Sequence, residues 1–407
     1  MGLGLSKSFL SGFFWMGSLR AAIRALSLVK MAVLARFLSP GQFGIYGIAT
    51  VVLAFLETLT ETGINVFLIQ QKEKIEKYVN SAWVVSILRG TVISLIIIIL
   101  AVPAASFFSV SGSVSILYLT SLIPFIRGFI NPSCVVFQKN LEFKKQFFYE
   151  STFFVSDAVF AILIGIATKS ENSLVIAMVI TALLEVILSF KVFHLKPKFV
   201  IDKELIFEVI QKGKWITGAG VFSYLFHHID DIFVGKLLGT YTLGVYQQAY
   251  RISSVPVSEV GEIFNKVNFP IIARQEQDLI KIRKMFFKNL ILISFFVIPL
   301  GYIFFKFPSQ VISIVLGSQW LAAIPILQIL SIYGVLKAIS NSFFSLFLGL
   351  NNQQFVTYIT LLQAISMLAL TYPLIKIFGS LGAGYAAIIS TIISLPVFIY
   401  YAWKILK

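Results

Sequence analysis

Four runs of ionisable or polar side chains interrupt otherwise apolar sequence, and their spacing puts each run on one helical face. Arg20, Arg24 and Ser27 step by four and three residues, and Glu57 and Glu61 step by four. Tyr224, His228 and Asp231 follow the same rule, with His227 and Asp230 beside them. Arg251, Ser258, Glu262 and Lys266 lie along roughly one side of a further stretch, with Glu259 adjacent. Guanidinium groups suit phosphate through a planar fork of donors. Carboxylates and imidazoles can exchange protons or answer a cation. Arg89, Arg127, Asp157, Glu185 and Lys337 add isolated charges within or near apolar stretches.

Two readings of these residues compete. A charged side chain near the middle of a membrane helix costs roughly 2.5 to 3.5 kcal/mol on insertion scales, so it faces a partner or water. In the first reading Arg20, Arg24, Ser27, Tyr224, His228 and Arg251 line a hydrated cavity that admits an anionic head group. Glu57, Glu61, Asp230, Asp231, Glu262 and Lys266 are then candidates for coupling or gating. In the second, Arg20 or Arg24 pairs with Glu57 or Glu61, and Asp231 with Lys266, simply to hold helices together. A resident metal at His227, His228, Asp230 and Asp231 is disfavoured because adjacent helical residues point apart. No cofactor is expected, and any uphill work falls to a Na+ or H+ gradient or the membrane potential.

The elements that must position these groups follow from composition. Of 407 residues, 58% are hydrophobic and only 13% charged, with 40 phenylalanines, and the mean hydropathy is +0.90. Stretches of about 20 apolar residues recur, the length a helix needs to cross a bilayer. Twelve are expected, at about 9 to 36, 44 to 70, 80 to 107, 114 to 137, 146 to 168 and 172 to 194. The second six fall at 209 to 238, 244 to 272, 287 to 306, 311 to 349 (broken near Trp320 or Pro325), 354 to 376 and 381 to 404. The first is read as an uncleaved membrane helix, since Arg20 and Arg24 continue it without a cleavage site. Prolines inside the spans, among them Pro124, Pro132, Pro256, Pro299, Pro325, Pro373 and Pro396, are candidate bends.

The net charge of +15 is explained by topology. Alternate loops carry twenty basic residues on the side of the N-terminus and four on the other, which by the positive-inside rule puts both termini in the cytoplasm. Nucleic acid is therefore not an expected partner. One cysteine, Cys134, excludes an internal disulfide. No nucleotide-binding, metalloprotease or serine-hydrolase motif occurs, so an enzyme is not expected.

The chain also repeats itself. ARFLSPGQFGIY at 35–46 aligns with GKLLGTYTLGVY at 235–246 at an offset of 200, matching Arg36 to Lys236, Leu38 to Leu238, Gly44 to Gly244 and Tyr46 to Tyr246. Six helices precede each boundary, so the copies are expected to be parallel lobes: 1–194, a cytoplasmic linker at 195–208, and 209–407. Repeats of this kind typify transporters that rock one half against the other. The fold class is thus an all-α polytopic membrane protein, with a cavity between the lobes lined by helices one, two, seven and eight.

Three segments carry a family resemblance. ARFLSPGQFGIYGIATVVLAFLETLTETGINVFLIQQKE at 35–73 resembles the opening of the bacterial O-antigen and exopolysaccharide flippases, within the superfamily that includes multidrug and toxic compound extruders. FQKNLEFKK at 137–145 is similar to that family's basic loop after helix four. LGSQWLAAIPILQILSIYG at 316–334 is similar to its tenth-helix signature, with Gly317, Trp320, Pro325 and Gly334 in pattern. The resemblance implies a flippase for undecaprenyl-pyrophosphate-linked oligosaccharide in the bacterial inner membrane. Its partners would be the lipid bilayer, a polysaccharide polymerase and a chain-length regulator. Residue type and spacing then give Arg20 and Arg24 the pyrophosphate, and Tyr224, His228 and their polar neighbours the sugars. A cation-coupled multidrug exporter, a peptidoglycan lipid-precursor flippase and a membrane-embedded glycan polymerase or ligase are the alternatives. The arginines of helix one oppose the exporter, and the short outer loops oppose the polymerase.

Overall fold

A computed structural model describes the backbone of residues 2–60, 64–70, 75–110, 112–274, 279–350 and 352–407. It describes the side chains of all of these except 2–13, 66–67, 70, 203–223, 225–227, 263, 266–271 and 273–274. The described residues form helices: α1 (Gly2–Leu34), α2 (Pro40–Leu59), α3 (Ile64–Gln70), α4 (Glu76–Phe107), α5 (Ser113–Arg127), α6 (Val136–Lys139), α7 (Phe143–Thr168), α8 (Asn172–Val192) and α9 (Lys203–Arg274). They continue as α10 (Leu279–Lys306), α11 (Pro308–Val315), α12 (Ile324–Gly349), α13 (Gln353–Phe378) and α14 (Ser380–Leu406). Among the described residues eight helices are long and apolar enough to cross a membrane, and the bent α5–α6 segment makes a ninth. Helix α1 and the two stretches of α9 on either side of Gly239 are each over 30 residues long. At 1.5 Å per residue they exceed the ~30 Å hydrocarbon core, which is consistent with the twelve spans expected. The protein is an all-α, multi-pass membrane protein.

Two expected spans differ in detail, and a third breaks where expected. The span expected at 114–137 bends by 71° between Arg127 and Pro132, where Pro132 lacks the N–H that would continue the ladder and Asn131 caps a short 3-10 turn instead. The stretch at 44–70 resolves into α2 and α3. The break expected near Trp320 is present: Gly317 has φ +100°, Ser318–Ala323 is a 3-10 turn, and Pro325 opens α12. Trp320 is fully buried there.

By contacts the chain divides into Met1–Tyr224 and Leu225–Lys407. In the first unit α1 packs on α7, α4 on α5, and α7 on α8, while α2 and α8 both pack on α5. In the second, α12 packs on α10 and α14, and α13 on α14. The stretch expected as a linker, 195–208, is non-helical only up to Asp202. Its beginning is fastened to the first unit, where Asn131 Nδ2 donates to the Leu195 carbonyl at 2.6 Å and the Lys198 N–H donates to Asn80 Oδ1 at 2.7 Å.

Both copies of the aligned repeat are breaks between helical stretches. Ser39 caps α2 in a capping box: Gln42 N donates to its Oγ at 3.4 Å, and its own N–H donates to Gln42 Oε1 at 2.9 Å. Pro40 follows at the first turn, where a missing N–H costs nothing. At the equivalent position Gly239 has φ +81°, a conformation only glycine adopts without strain. Tyr46 and Tyr246 are both buried.

Candidate functional site

The polar residues read from sequence are divided between the two units. In the first unit α1 is two-faced. Leu19, Met31 and Leu34 are buried, and Trp15 meets Phe147 and Phe148 of α7 at ring distances of 5.2 and 6.0 Å. Lys30, also buried, places Nζ 2.5 Å from Asp157 Oδ2 of α7. Arg20 and Arg24 stand on the opposite, exposed face with Ser27 half-buried at its edge. The pairing thus locks one side of α1 and presents the arginines on the other.

Glu57 of α2 lies beside Arg127. Arg127, at the end of α5, grips Glu185 of α8 with both ends of its fork, at 3.1 and 3.3 Å, and holds Nη1 4.0 Å from Glu57 Oε1. Arg89 of α4 donates to the Glu57 carbonyl at 2.6 Å and to Thr60 Oγ1 at 3.3 Å. The first of these satisfies a carbonyl in the last turn of α2, where carbonyls lack partners within the helix. Glu61 lies outside the described residues.

Arg127 borders two cavities. One, of about 300 Å³, is lined by Glu57, Asn65, Ser86 and Arg89 among others. The other, of about 350 Å³, is lined by Lys30, Tyr46, Glu150, Asp157, Thr181 and Glu185 among others. In the second cavity Asp157 Oδ1 and Thr181 Oγ1 are buried without a hydrogen-bond partner among the described residues, so its wall retains unused acceptors. Tyr224 is buried and donates from its hydroxyl to the Val51 carbonyl at 2.5 Å, with its ring 5.5 Å from Phe55. That donor serves the protein's own backbone.

In the second unit, all on α9, His228 Nδ1 lies 3.4 Å from Asp231 Oδ2. Asp230 is buried, accepts from the Tyr246 hydroxyl at 2.7 Å and from the Asp231 N–H at 3.0 Å. Lys337 of α12 donates to the Tyr250 hydroxyl at 3.2 Å and lies over the Tyr250 and Tyr333 rings at 5.9 and 5.7 Å. Arg251, Ser258, Glu259 and Glu262 are half-buried on the same helix, whereas the side chains of His227 and Lys266 lie outside the described residues. The weighed pairing of Asp231 with Lys266 therefore has no described geometry, and the described neighbour of Asp231 is His228.

Two participants carry little signal in the sequence. Lys30 sits in an apolar run and gave a signal only as one more ionisable residue three past Ser27. In the sequence Tyr246 is a repeat position, and nothing local marks it as the donor to Asp230.

The sequence profile of the family described as "Polysaccharide biosynthesis protein" matches residues 33–325. A membrane protein in the cps region of Klebsiella pneumoniae is 27% identical over 343 residues, covering 82% of this chain and 70% of that one. Lipopolysaccharide biosynthesis protein WzxC of Escherichia coli K12 is 24% identical, covering 85% and 71%, and teichuronic acid biosynthesis protein TuaB of Bacillus subtilis 168 is 24% identical, covering 83% and 70%. Among solved structures, the lipid II flippase MurJ in an inward closed conformation superposes with TM-score 0.79 at 15% identity, over 95% of this chain and 88% of that one. An inward-facing multidrug resistance MATE family transporter of the MOP superfamily gives 0.69 at 12% identity, over 96% and 98%. At such identities these two structures establish the shared fold alone.

Proposed function

This chain belongs to the polysaccharide biosynthesis protein family, and from that membership we propose that it is a flippase for undecaprenyl-pyrophosphate-linked oligosaccharide. It carries the glycan and pyrophosphate from the cytoplasmic to the outer leaflet of the cytoplasmic membrane by alternating access, while the lipid tail stays in the bilayer. Both termini face the cytoplasm. It transports and does not catalyse.

The observation that carries this reading is the two-sided first helix. Lys30 and Trp15 hold one face of α1 on α7, and this fixes which way the opposite face, with Arg20 and Arg24, is presented. Two guanidinium groups one turn apart match the charge and oxygen geometry of a pyrophosphate. They would repel the cationic cargo of a drug exporter. Relatives named for lipopolysaccharide and teichuronic acid biosynthesis support the glycan part. His228, Arg251 and Ser27 are assigned to cargo contacts. Asp230 and Asp231, with Glu57 and Glu262, are assigned to coupling with a Na+ or H+ gradient or the membrane potential.

The test is depletion of the protein, followed by glycolipid extraction and digestion with an external glycosidase. Intact lipid-linked units protected on the inner leaflet, together with loss of surface polysaccharide, are expected. Unchanged glycolipid would point to an exporter, accumulation of single units already outside to a polymerase, and accumulation of peptidoglycan precursor to that lipid as cargo. Restoring the protein as Arg24→Ala, at normal membrane abundance, should recover less than about a tenth of export, the loss expected when one charge-assisted contact of 1.5–3 kcal/mol is removed. Full recovery would sink the pyrophosphate role.

A further inference from the structure

Apart from these clusters, the outer face of α10 combines a cationic groove with an apolar extension. The inner face turns Ile282, Phe286, Ile293 and Val297 into the second unit's core. The outer face stays open: Ile280, Ile291 and Phe295 are 71%, 67% and 70% exposed. Arg283, Lys284 and Lys288 are exposed within two turns of one another and, with Ile280, Phe287 and Ile291, border a groove of about 640 Å³. No carboxylate lines it among the described residues. An apolar helix face alone is simply what lipid tails require. The cations collected at one end of it add a recognition chemistry.

The dimensions fit one leaflet. From Lys288 the exposed strip runs through Ile291, Leu292, Phe295 and Phe296 to Ile298. From Lys288 to Ile298 the ten rises of 1.5 Å span about 15 Å, half of a ~30 Å hydrocarbon core. A molecule filling both parts has an anionic head at the interface and a chain reaching to the bilayer's middle.

We propose that this groove is a binding site for an anionic phospholipid of the cytoplasmic leaflet, its phosphodiester held by Arg283, Lys284 and Lys288 and an acyl chain lying along Phe287, Ile291, Leu292 and Phe295. The guanidinium supplies two parallel donors to phosphate oxygens, and the two lysines, one turn apart, add point charges. Their methylene stems lie on the apolar strip while the ammonium groups stay in the interface. The choice of leaflet rests on the orientation proposed above. Bound there, the lipid fixes the depth and rotation of α10 against the bilayer surface.

The test uses the purified full-length protein in detergent, titrated with phosphatidylglycerol or phosphatidylcholine of identical chains. Lipid retention by native mass spectrometry and the unfolding temperature are the readouts. Phosphatidylglycerol should be held more tightly by about fivefold for each basic residue engaged, and it alone should raise the unfolding temperature. Arg283→Gln/Lys284→Gln/Lys288→Gln should abolish the preference and leave phosphatidylcholine retention unchanged. Lys284→Gln/Lys288→Gln, which keeps Arg283, should give an intermediate preference and guards against a folding defect in the triple variant. Lys191→Gln/Lys196→Gln/Lys198→Gln, an equal loss of charge elsewhere, should change nothing. Equal retention of both lipids by the natural chain, or an undiminished preference in either groove variant, overturns the proposal. Displacement of bound phosphatidylglycerol by substoichiometric undecaprenyl pyrophosphate would overturn it too, by giving the groove to the cargo lipid. None of these readouts involves transport, so they stand or fall apart from the flippase reading.

Discussion

Lys30 and Asp157 show what single residues do in the interior of this protein. Their side chains are 10% and 20% exposed and meet at 2.5 Å, so each removes the other's need for water. Deleting one partner of such a pair leaves a buried charge uncompensated, at a cost of about 3–5 kcal/mol, whereas replacing both with apolar groups of similar volume is often neutral. Lys30→Ala should therefore lower unfolding stability in detergent by about 3 kcal/mol, and Lys30→Met/Asp157→Leu should recover most of it. An unchanged unfolding midpoint in Lys30→Ala would show that the pair does not anchor α1. The same logic explains Tyr224, whose type suggested a sugar contact. Its hydroxyl is spent on the Val51 carbonyl, a partner 173 positions away that no local spacing could announce.

At the level of elements, the helices that carry Arg89 and Arg127 meet through glycine. A side chain at Gly90 would run into the Pro124 carbonyl and stand 3.2 Å from Gly128 Cα, and one at Gly128 would stand 3.1 Å from Ile87 Cα. The backbones of α4 and α5 therefore approach as closely as small residues permit, as is common between membrane helices. Gly90→Ala should destabilise by about 1–3 kcal/mol through overpacking, with the α4–α5 separation widened and Arg127 pulled from Glu185. Gly41→Ala, at a site with open space, should leave stability within about 0.5 kcal/mol. Paired unfolding curves check this, and equal effects at the two sites would refute the close-approach account. The segment at 35–46 that carries the family resemblance is likewise positional. Ser39, Pro40 and Gln42 start α2 correctly, and Gln42 Nε2 also reaches the Lys169 carbonyl at 2.9 Å and Glu171 at 3.1 Å. Such a motif identifies a fold without naming a cargo.

For the whole molecule, the distribution of basic residues makes the sharpest prediction. Segments expected on the side of the termini hold twenty lysines and arginines against four opposite, a bias that orients membrane helices during insertion. Alkaline phosphatase fused after Lys407 should be inactive and a fluorescent protein there bright, while phosphatase fused after Lys169 or Lys306 should be active. Phosphatase activity at Lys407 would reverse the orientation and move the lipid site on α10 to the other leaflet.

By itself the sequence determined that the chain is all-helical and crosses a membrane many times, because lipid leaves the backbone no partner but its own helix. It also located the breaks within 35–46 and 235–246 and near Trp320, since caps, prolines and glycines with positive φ act within a few residues of themselves. Only the tertiary structure decided which charges meet. Arg127 lies 58 positions from Glu185, and Lys30 lies 127 from Asp157. Helical periodicity says which residues share a face, but the neighbour that face meets is fixed by packing between helices distant in the chain.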